Sequence, residues 1–266
     1  KYQLGEGRFG SLLLMWQYDF INPNQFIPNE SDFIDAYASF VKPTQQPLVA
    51  PVQALNSCEF NPTSSEADNF EYLDAGPQVS LSSGSAFIPL PKQEGPEYYP
   101  SDSDPILSSI GSFKPESTYK LDVSGGVGAT GLSGFTIDSA LKTPAGFQLT
   151  TPDIGYFQGT SYTQIDTLEN TTFSWTGGAP GDAFYIQIIG LDGETGARTN
   201  EVLVCRPQDD GSFSIPSRDL SRITYANMAL VYVGRRQTHE FTLEANASTG
   251  QSMSLIYKIG VVELLH

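Results

Sequence analysis

Apolar and polar residues alternate with a period of two along most of this chain. The longest run, residues 10–21, predicts one extended β-strand because five large apolar side chains fall on one face while Gln17 and Asp19 interrupt the other. The five are Leu12, Leu14, Trp16, Tyr18 and Phe20. Further strands are predicted at 37–41, 78–81, 117–123, 134–137, 147–150, 171–175, 184–189, 201–205, 211–215, 228–233, 240–245 and 253–262. The only helical turn expected is 217–222, with Ser217 as its N-cap.

Glycine, proline, asparagine and serine clusters separate these strands at short intervals and leave no room for βαβ crossovers. Residues 151–160 lack strand patterning and divide the strands into two groups. We therefore predict an all-β fold of two tandem immunoglobulin-like antiparallel β-sandwich units with an N-terminal strand arm. The expected divisions are the arm at 1–42, a Pro/Ser/Thr-rich connector at 43–68, a first unit at 69–152 and a second unit at 153–266.

Two aromatic residues of the second group alternate with polar neighbours, which predicts that both face the interior. Phe173 and Trp175 flank Ser174, and Thr176 follows. We expect both rings to pack between the sheets of the second unit.

The charge balance restricts the partners. Thirty acidic residues against fourteen basic ones give a formal net charge of −16, so the surface repels phosphate backbones and anionic headgroups. We expect no nucleic-acid partner and no membrane span. Calcium stays possible: residues 102–104 and 191–196 carry candidate oxygen ligands, but neither has the spacing of an EF-hand. Residues 191–196 more simply predict a hairpin turn.

Cys58 and Cys205 are the two cysteines of the chain. An even number in a Ser/Thr/Gly-rich β protein favours one disulfide formed outside the reducing cytosol, although two separate buried thiols would fit the same count. The chain starts at Lys1 without an apolar signal core, so we expect a processed, exported protein at the cell surface or outside the cell.

Three features of the sequence suggest ligand binding or catalysis, but none of them has the sequence context that such a site requires. Gly5, Gly7 and Gly10 match a dinucleotide fingerprint, but a β-patterned run follows where a helix would have to begin. His239 lies in a strand pattern, His266 is isolated, and no nucleophile elbow or metalloprotease spacing accompanies them. No carboxylate pair is singled out by its neighbours. The sequence therefore predicts no enzyme, no catalytic residue and no cofactor.

Aromatic residues in predicted loops could stack on sugars or could cover ordinary hydrophobic rims. The candidates for a glycan-facing surface are Tyr98, Tyr99, Tyr156, Phe157 and Tyr162.

Several short motifs follow one another in a familiar order. LDAGP at 73–77 comes first, then the strand entry STYKL at 117–121, WTGG at 175–178, Cys205 and GSFSIPS at 211–217. Over residues 55–246 this succession resembles a group of predicted secreted β-sandwich proteins of unknown function from acidobacteria and myxobacteria. The resemblance implies export and paired β units, and it brings no catalytic residues.

Two classes of function remain. The first is a structural subunit of an extracellular surface, matrix or filament, a homo-oligomer or polymer in which strand 10–21 is added to the sheet of a neighbouring subunit. The alternative for this strand is burial in its own domain. The second class is a carbohydrate-binding module or adhesin.

Overall fold

The structure, a computed structural model, describes residues 9–18, 21–22, 27–28, 33–43, 53–62, 70–95, 97–99, 114–154, 162–177, 184–242 and 249–266. It is nearly all β, with 61% of residues in strands and no helix of seven or more residues in the described ranges. The strands are β1 Phe9–Tyr18, β2 Ile21–Asn22, β3 Ile27–Pro28, β4 Phe33–Pro43, β5 Ser57–Phe60, β6 Phe70–Tyr72, β7 Gln78–Ser83, β8 Ala86–Pro91, β9 Glu97–Tyr98, β10 Thr118–Val123, β11 Phe135–Lys142, β12 Gln148–Thr151, β13 Thr163–Asp166, β14 Thr171–Thr176, β15 Phe184–Leu191, β16 Arg198–Arg206, β17 Ser212–Ile215, β18 Met228–Thr242 and β19 Thr249–Leu265. The one helix of these ranges is α1, Ser217–Leu220.

Ten of the described strands belong to one large sheet. Its order is β5-β16-β15-β18-β19-β1-β4-β6, with β13 joined to β19 and β9 joined to β4. Smaller sheets, β11-β10-β7-β8 and β12-β14-β17, accompany it, and β2 and β3 form a separate pair. Most contacts are antiparallel, but β1 and β13 each pair with β19 in parallel. This differs from the purely antiparallel units that the sequence predicts.

Among the described residues, two large hydrophobic cores and a smaller cluster of Ile189, Leu191, Leu230, Ile259 and Val261 are built on the large sheet. The first draws on β4, β7, β8, β10 and β11, with Leu81, Ile88 and Tyr119 among its fully buried side chains. The second draws on β14 to β18 and includes Phe173 and Trp175. These two rings are buried as predicted, and Trp175 stacks on Phe184 with ring centroids 3.9 Å apart. The predicted tandem division itself stays a prediction, because β19 supplies Ile256 to the first core and Val262 and Leu264 to the second.

The hairpin of β18 and β19 connects the two cores. Its register runs from Met228 opposite Glu263 to Thr242 opposite Thr249. The prediction of two separate strands at 228–233 and 240–245 was wrong, because β18 continues through the polar stretch between them. Ile154 crosses β19 so closely that its carbonyl oxygen occupies the space a Cβ would need at Gly260. Only glycine permits that approach.

Several short strands escaped the sequence pattern. The predicted connector contains β5, and β6, β8, β9 and β13 were not predicted at all. The predicted helical turn is present as α1, but Pro216 occupies the N-cap position and no side chain caps it.

Candidate assembly site

Strand β1 fills a slot between two other strands of the large sheet. On one side residues 11–18 pair in parallel with residues 251–258 of β19, and on the other side residues 9–17 pair antiparallel with residues 33–41 of β4. Both edges of β1 are therefore hydrogen-bonded within its own chain. Without β1, residues 33–41 of β4 and residues 251–258 of β19 would have no partner along the edges that face the slot.

Four of the five predicted arm residues lie on this strand. Leu12 and Leu14 stand opposite Ala38 and Ala36 of β4, and these two alanines are fully buried. Trp16 stands opposite Ile256 of β19. Tyr18 ends the strand, and Phe20 lies outside the described residues. Of the two arrangements considered for the arm, the structure has the one in which it pairs with its own chain.

Strand β8 forms an edge that is closed to further pairing. Pro89 and Pro91 stand opposite Ser80 and Gln78 of β7, and neither proline has an N–H. The amide of Lys92, one residue further, donates to the Pro77 carbonyl at 3.1 Å. Because backbone groups alternate in direction along a strand, those of residues 87, 89 and 91 point away from β7. Of these three residues only Phe87 has an amide N–H to offer at the open edge. Such proline-bearing edges resist the addition of a strand.

Residues 53–61, here called the edge segment, cover the β5 end of the large sheet. Cys58 and Cys205 face each other across β5 and β16 and form the predicted disulfide, with Cα atoms 4.0 Å apart. Asn56 and Asn61 bracket the strand with positive φ angles. Their amides donate to Arg206 and Val202, and their side-chain oxygens accept the amides of Gln208 and Val202. The connection from β4 to β6 thus carries a strand into the second core.

Where the two cores meet, a buried ion pair joins three loops; we call it the junction. The Arg235 Nε atom donates to Asp209 Oδ2 at 2.5 Å, and both side chains are almost fully buried. Trp175 Nε1 donates to Asp209 Oδ1 at 2.7 Å. The guanidinium also donates to the carbonyls of Ala145, Gly146, Thr176 and Gly177. A buried ion pair is stable only when its remaining polar atoms are satisfied, as they are here.

A second buried carboxylate, that of Glu201, fixes the loop after α1. It accepts hydrogen bonds from the amides of Thr224 and Tyr225 and from the Thr224 hydroxyl. Tyr225 itself is 89% exposed. The protein therefore holds the backbone of this loop in place while it presents the aromatic ring to solvent.

On β4, Tyr37 faces the side of the sheet away from the first core. Its hydroxyl donates to Glu97 Oε1 of β9 at 2.9 Å. Burial, together with the neighbouring Glu97 carboxylate, raises the pKa of Tyr37 to about 12.

The five candidate glycan-facing residues do not form one surface among the residues described. Tyr98 was wrongly assigned: it is fully buried in the first core, and its hydroxyl accepts the amide of Ala75. Tyr99 is 37% exposed beside it, whereas Tyr162 is half-buried at the start of β13. Tyr156 and Phe157 lie outside the described residues.

The remaining motifs have structural surroundings of their own. Asp192 Oδ1 accepts the amides of Glu194 and Thr195, so 191–196 is the predicted hairpin turn between β15 and β16. His239 lies in β18 and bonds the Ser139 carbonyl at 2.8 Å. Gly5, Gly7 and residues 102–104 lie outside the described ranges. Within those ranges no group of three or more His, Cys, Asp or Glu residues is placed to hold a metal ion.

Sequence reasoning missed the junction, the Glu201 contact and the edge segment. Asp209 and Arg235 are far apart in the chain, and nothing near either marks it as buried. The two asparagines beside β5 were the available signal, because asparagine favours positive φ at strand ends.

No helix in the described part of the chain has the length and apolar character that a bilayer crossing requires. The sequence matches none of the protein-family models and none of the curated proteins with which it was compared. Its function has to be inferred from its own residues.

Proposed function

We propose that this protein is a non-catalytic structural subunit of an extracellular surface layer, matrix or filament, built from two immunoglobulin-like sandwich units, whose copies are joined by exchange of β1. The observation that carries the proposal is the slot between β4 and β19. A strand that is paired along both edges can be replaced, pair for pair, by the same strand from another copy.

The connection to β4 is long enough for such an exchange. Residues 19–32 separate β1 from β4 and could span up to about 45 Å when extended. An exchanged β1 would keep the register of the eight pairs that it makes with β19. Full extension of this connection would open the pair of β2 and β3, but exchange keeps every pair that β1 makes in the large sheet, which makes it an inexpensive route to assembly.

Protected edges favour exchange over simple edge-to-edge addition. Pro89 and Pro91 obstruct the β8 edge of the four-stranded sheet, and the disulfide-bonded edge segment terminates the large sheet at β5. Like other β proteins, this chain limits uncontrolled strand pairing. A replaceable internal strand allows controlled pairing instead.

The disulfide supports a location outside the cytosol, where such bonds persist. The buried carboxylates Asp209 and Glu201 support a non-catalytic role, because both are occupied by structural hydrogen bonds. The glycan-binding alternative gains no comparable support, since its described aromatic residues are dispersed.

A cysteine pair tests the exchange directly. Ser11 of β1 stands opposite Ser39 of β4, so Ser11→Cys with Ser39→Cys should form a bridge in either arrangement. We expect the bridge to join different chains when native assemblies are oxidised, giving covalent oligomers on a non-reducing gel. Peptide mapping by mass spectrometry separates this bridge from Cys58–Cys205, and Ser11→Cys alone is the control.

The reverse result is equally clear. If native assemblies contain only bridges within one chain, β1 is not exchanged. Deletion of residues 1–21 would leave the slot between β4 and β19 empty in every copy, exchanged or not, so the cysteine pair is the test that separates the two arrangements.

A further inference from the structure

The outer face of the sheet β8-β7-β10 carries an exposed aromatic ring among lysines. Phe87, Ser82 and Lys120 lie side by side across the three strands, and Phe87 is 53% exposed. Lys114 reaches the neighbouring hairpin, where its Nζ atom donates to the Ser83 carbonyl at 3.3 Å. Asp122, in the next row, is bound by Lys120 at 3.0 Å. We call this the Phe87 surface.

At one end of the second core lies a second exposed surface, surrounded by acidic residues; we call it the Tyr225 surface. Tyr225, Leu168 and Leu265 are 89%, 66% and 39% exposed. Hydrogen bonds make the surface continuous: His266 contacts Thr167, which precedes Leu168, and the carbonyl of Ala226, which follows Tyr225.

Acidic residues surround this second surface. Asp166 and Glu169 flank Leu168, and both Asp192 and Glu194 are on the adjacent hairpin, whose Gly193 touches Asn227. The arginines of the same elements are each engaged: Arg218 lies 3.7 Å from Asp219, Arg222 lies over the Phe60 ring, and Arg198 donates to the Tyr232 hydroxyl. Large apolar side chains exposed together on a rigid surface are typical of a protein contact.

We propose that the Phe87 surface of one copy binds the Tyr225 surface of the next. The acidic residues of the Tyr225 surface favour a partner surface that carries positive charge. Such a surface is uncommon in a chain with net charge −16, and the Phe87 surface is one, since it carries lysines around an exposed aromatic ring. Two Tyr225 surfaces would instead repel each other. This contact rests on the proposed role as an assembling subunit but does not require exchange of β1. Because it joins two different surfaces, each joined pair of copies keeps one free surface of each kind, and the contact forms open chains or rings.

The test is complementation between two exposed-residue variants. Both are made in the full chain with β1 fixed in its own slot by the Ser11→Cys and Ser39→Cys bridge, closed within one chain at high dilution. We expect Phe87→Ser and Tyr225→Ser each to weaken self-association at least about tenfold in analytical ultracentrifugation. An equimolar mixture of the two should form dimers and stop there, since one intact contact remains per pair.

Matched controls separate this contact from general effects. Val127→Ser changes another residue that is 84% exposed and should leave association unchanged. Raising the salt to about 0.5 M should weaken the contact, because charges at its rim are screened. Unchanged melting temperatures verify that the variants are folded.

Three results would overturn the inference: no association of the fixed chain up to about 1 mM, association that survives both substitutions, or a mixture that remains monomeric. Failure of β1 exchange is read separately, from bridges confined to one chain in native assemblies.

Discussion

Arg235 is the residue at which the loops of both cores converge. We predict that Arg235→Leu lowers the free energy of unfolding by about 3 to 5 kcal/mol, because it leaves the Asp209 carboxylate buried without its cation. Urea denaturation measures the loss. The double variant with Asp209→Leu should recover only part of it, since the carbonyls of Ala145 and Thr176 still lack a donor. A loss below about 1 kcal/mol would show that the pair is dispensable.

Trp175 combines a ring contact with a hydrogen bond. Trp175→Ala should cost roughly 3 to 5 kcal/mol through the cavity it leaves against Phe184. Trp175→Phe keeps an aromatic ring there and loses the N–H that binds Asp209, so its cost should be clearly smaller. Equal melting temperatures for Trp175→Ala and the natural protein would contradict this packing.

The raised pKa of Tyr37 predicts a defined alkaline response. An unfolded tyrosine ionises near pH 10, whereas folded Tyr37 does so near 12. The stabilisation is therefore complete below pH 10 and is lost as the pH rises toward 12. Tyr37→Phe should be less stable at pH 7 by about 1 kcal/mol, through the lost bond to Glu97. The difference should shrink above pH 10 in urea titrations, and a constant difference would refute the assignment.

At the scale of elements, the edge segment protects alternate amides of β16. Val202 and Val204 direct their amides toward β5, and Leu203 and Cys205 direct theirs toward β15. We predict that Cys58→Ser with Cys205→Ser costs about 2 to 5 kcal/mol and speeds hydrogen exchange at Val202 and Val204 more than at Leu203. Equal acceleration at all three would mean that β16 opens as a whole.

The sequence predicts most strands whose residues alternate between a core and solvent, such as β10 and β14. It fails where alternation is not the cause of strand formation. In β5 the cause is a disulfide and two asparagines, and in β8 an edge position tolerates Pro89 and Pro91. The parallel contact of β1 with β19 depends on how distant segments meet, and no local pattern records that. The junction could not be predicted for the same reason, because its partners Asp209 and Arg235 are separated in the chain.

For the whole molecule, the shared hairpin of β18 and β19 predicts that both cores unfold together. Leu121→Ala weakens the first core and Ile188→Ala the second, and both residues are fully buried or nearly so. In a Trp16→Phe background, Trp175 fluorescence follows the second core alone. Leu121→Ala should shift that fluorescence transition as far as the circular dichroism transition. Two separated transitions would show that the cores are independent.

The parallel pairing of β1 with β19 also has a mechanical consequence. Force that pulls the start of β1 away from the end of β19 acts along both strands in opposite directions, so it loads the eight register pairs in shear. In an antiparallel pair the same pull would open the hydrogen bonds one after another. Here they share the load and must break nearly together. A subunit held in tension between its first and last strands would therefore resist extension most strongly at the very contact through which copies are proposed to be joined.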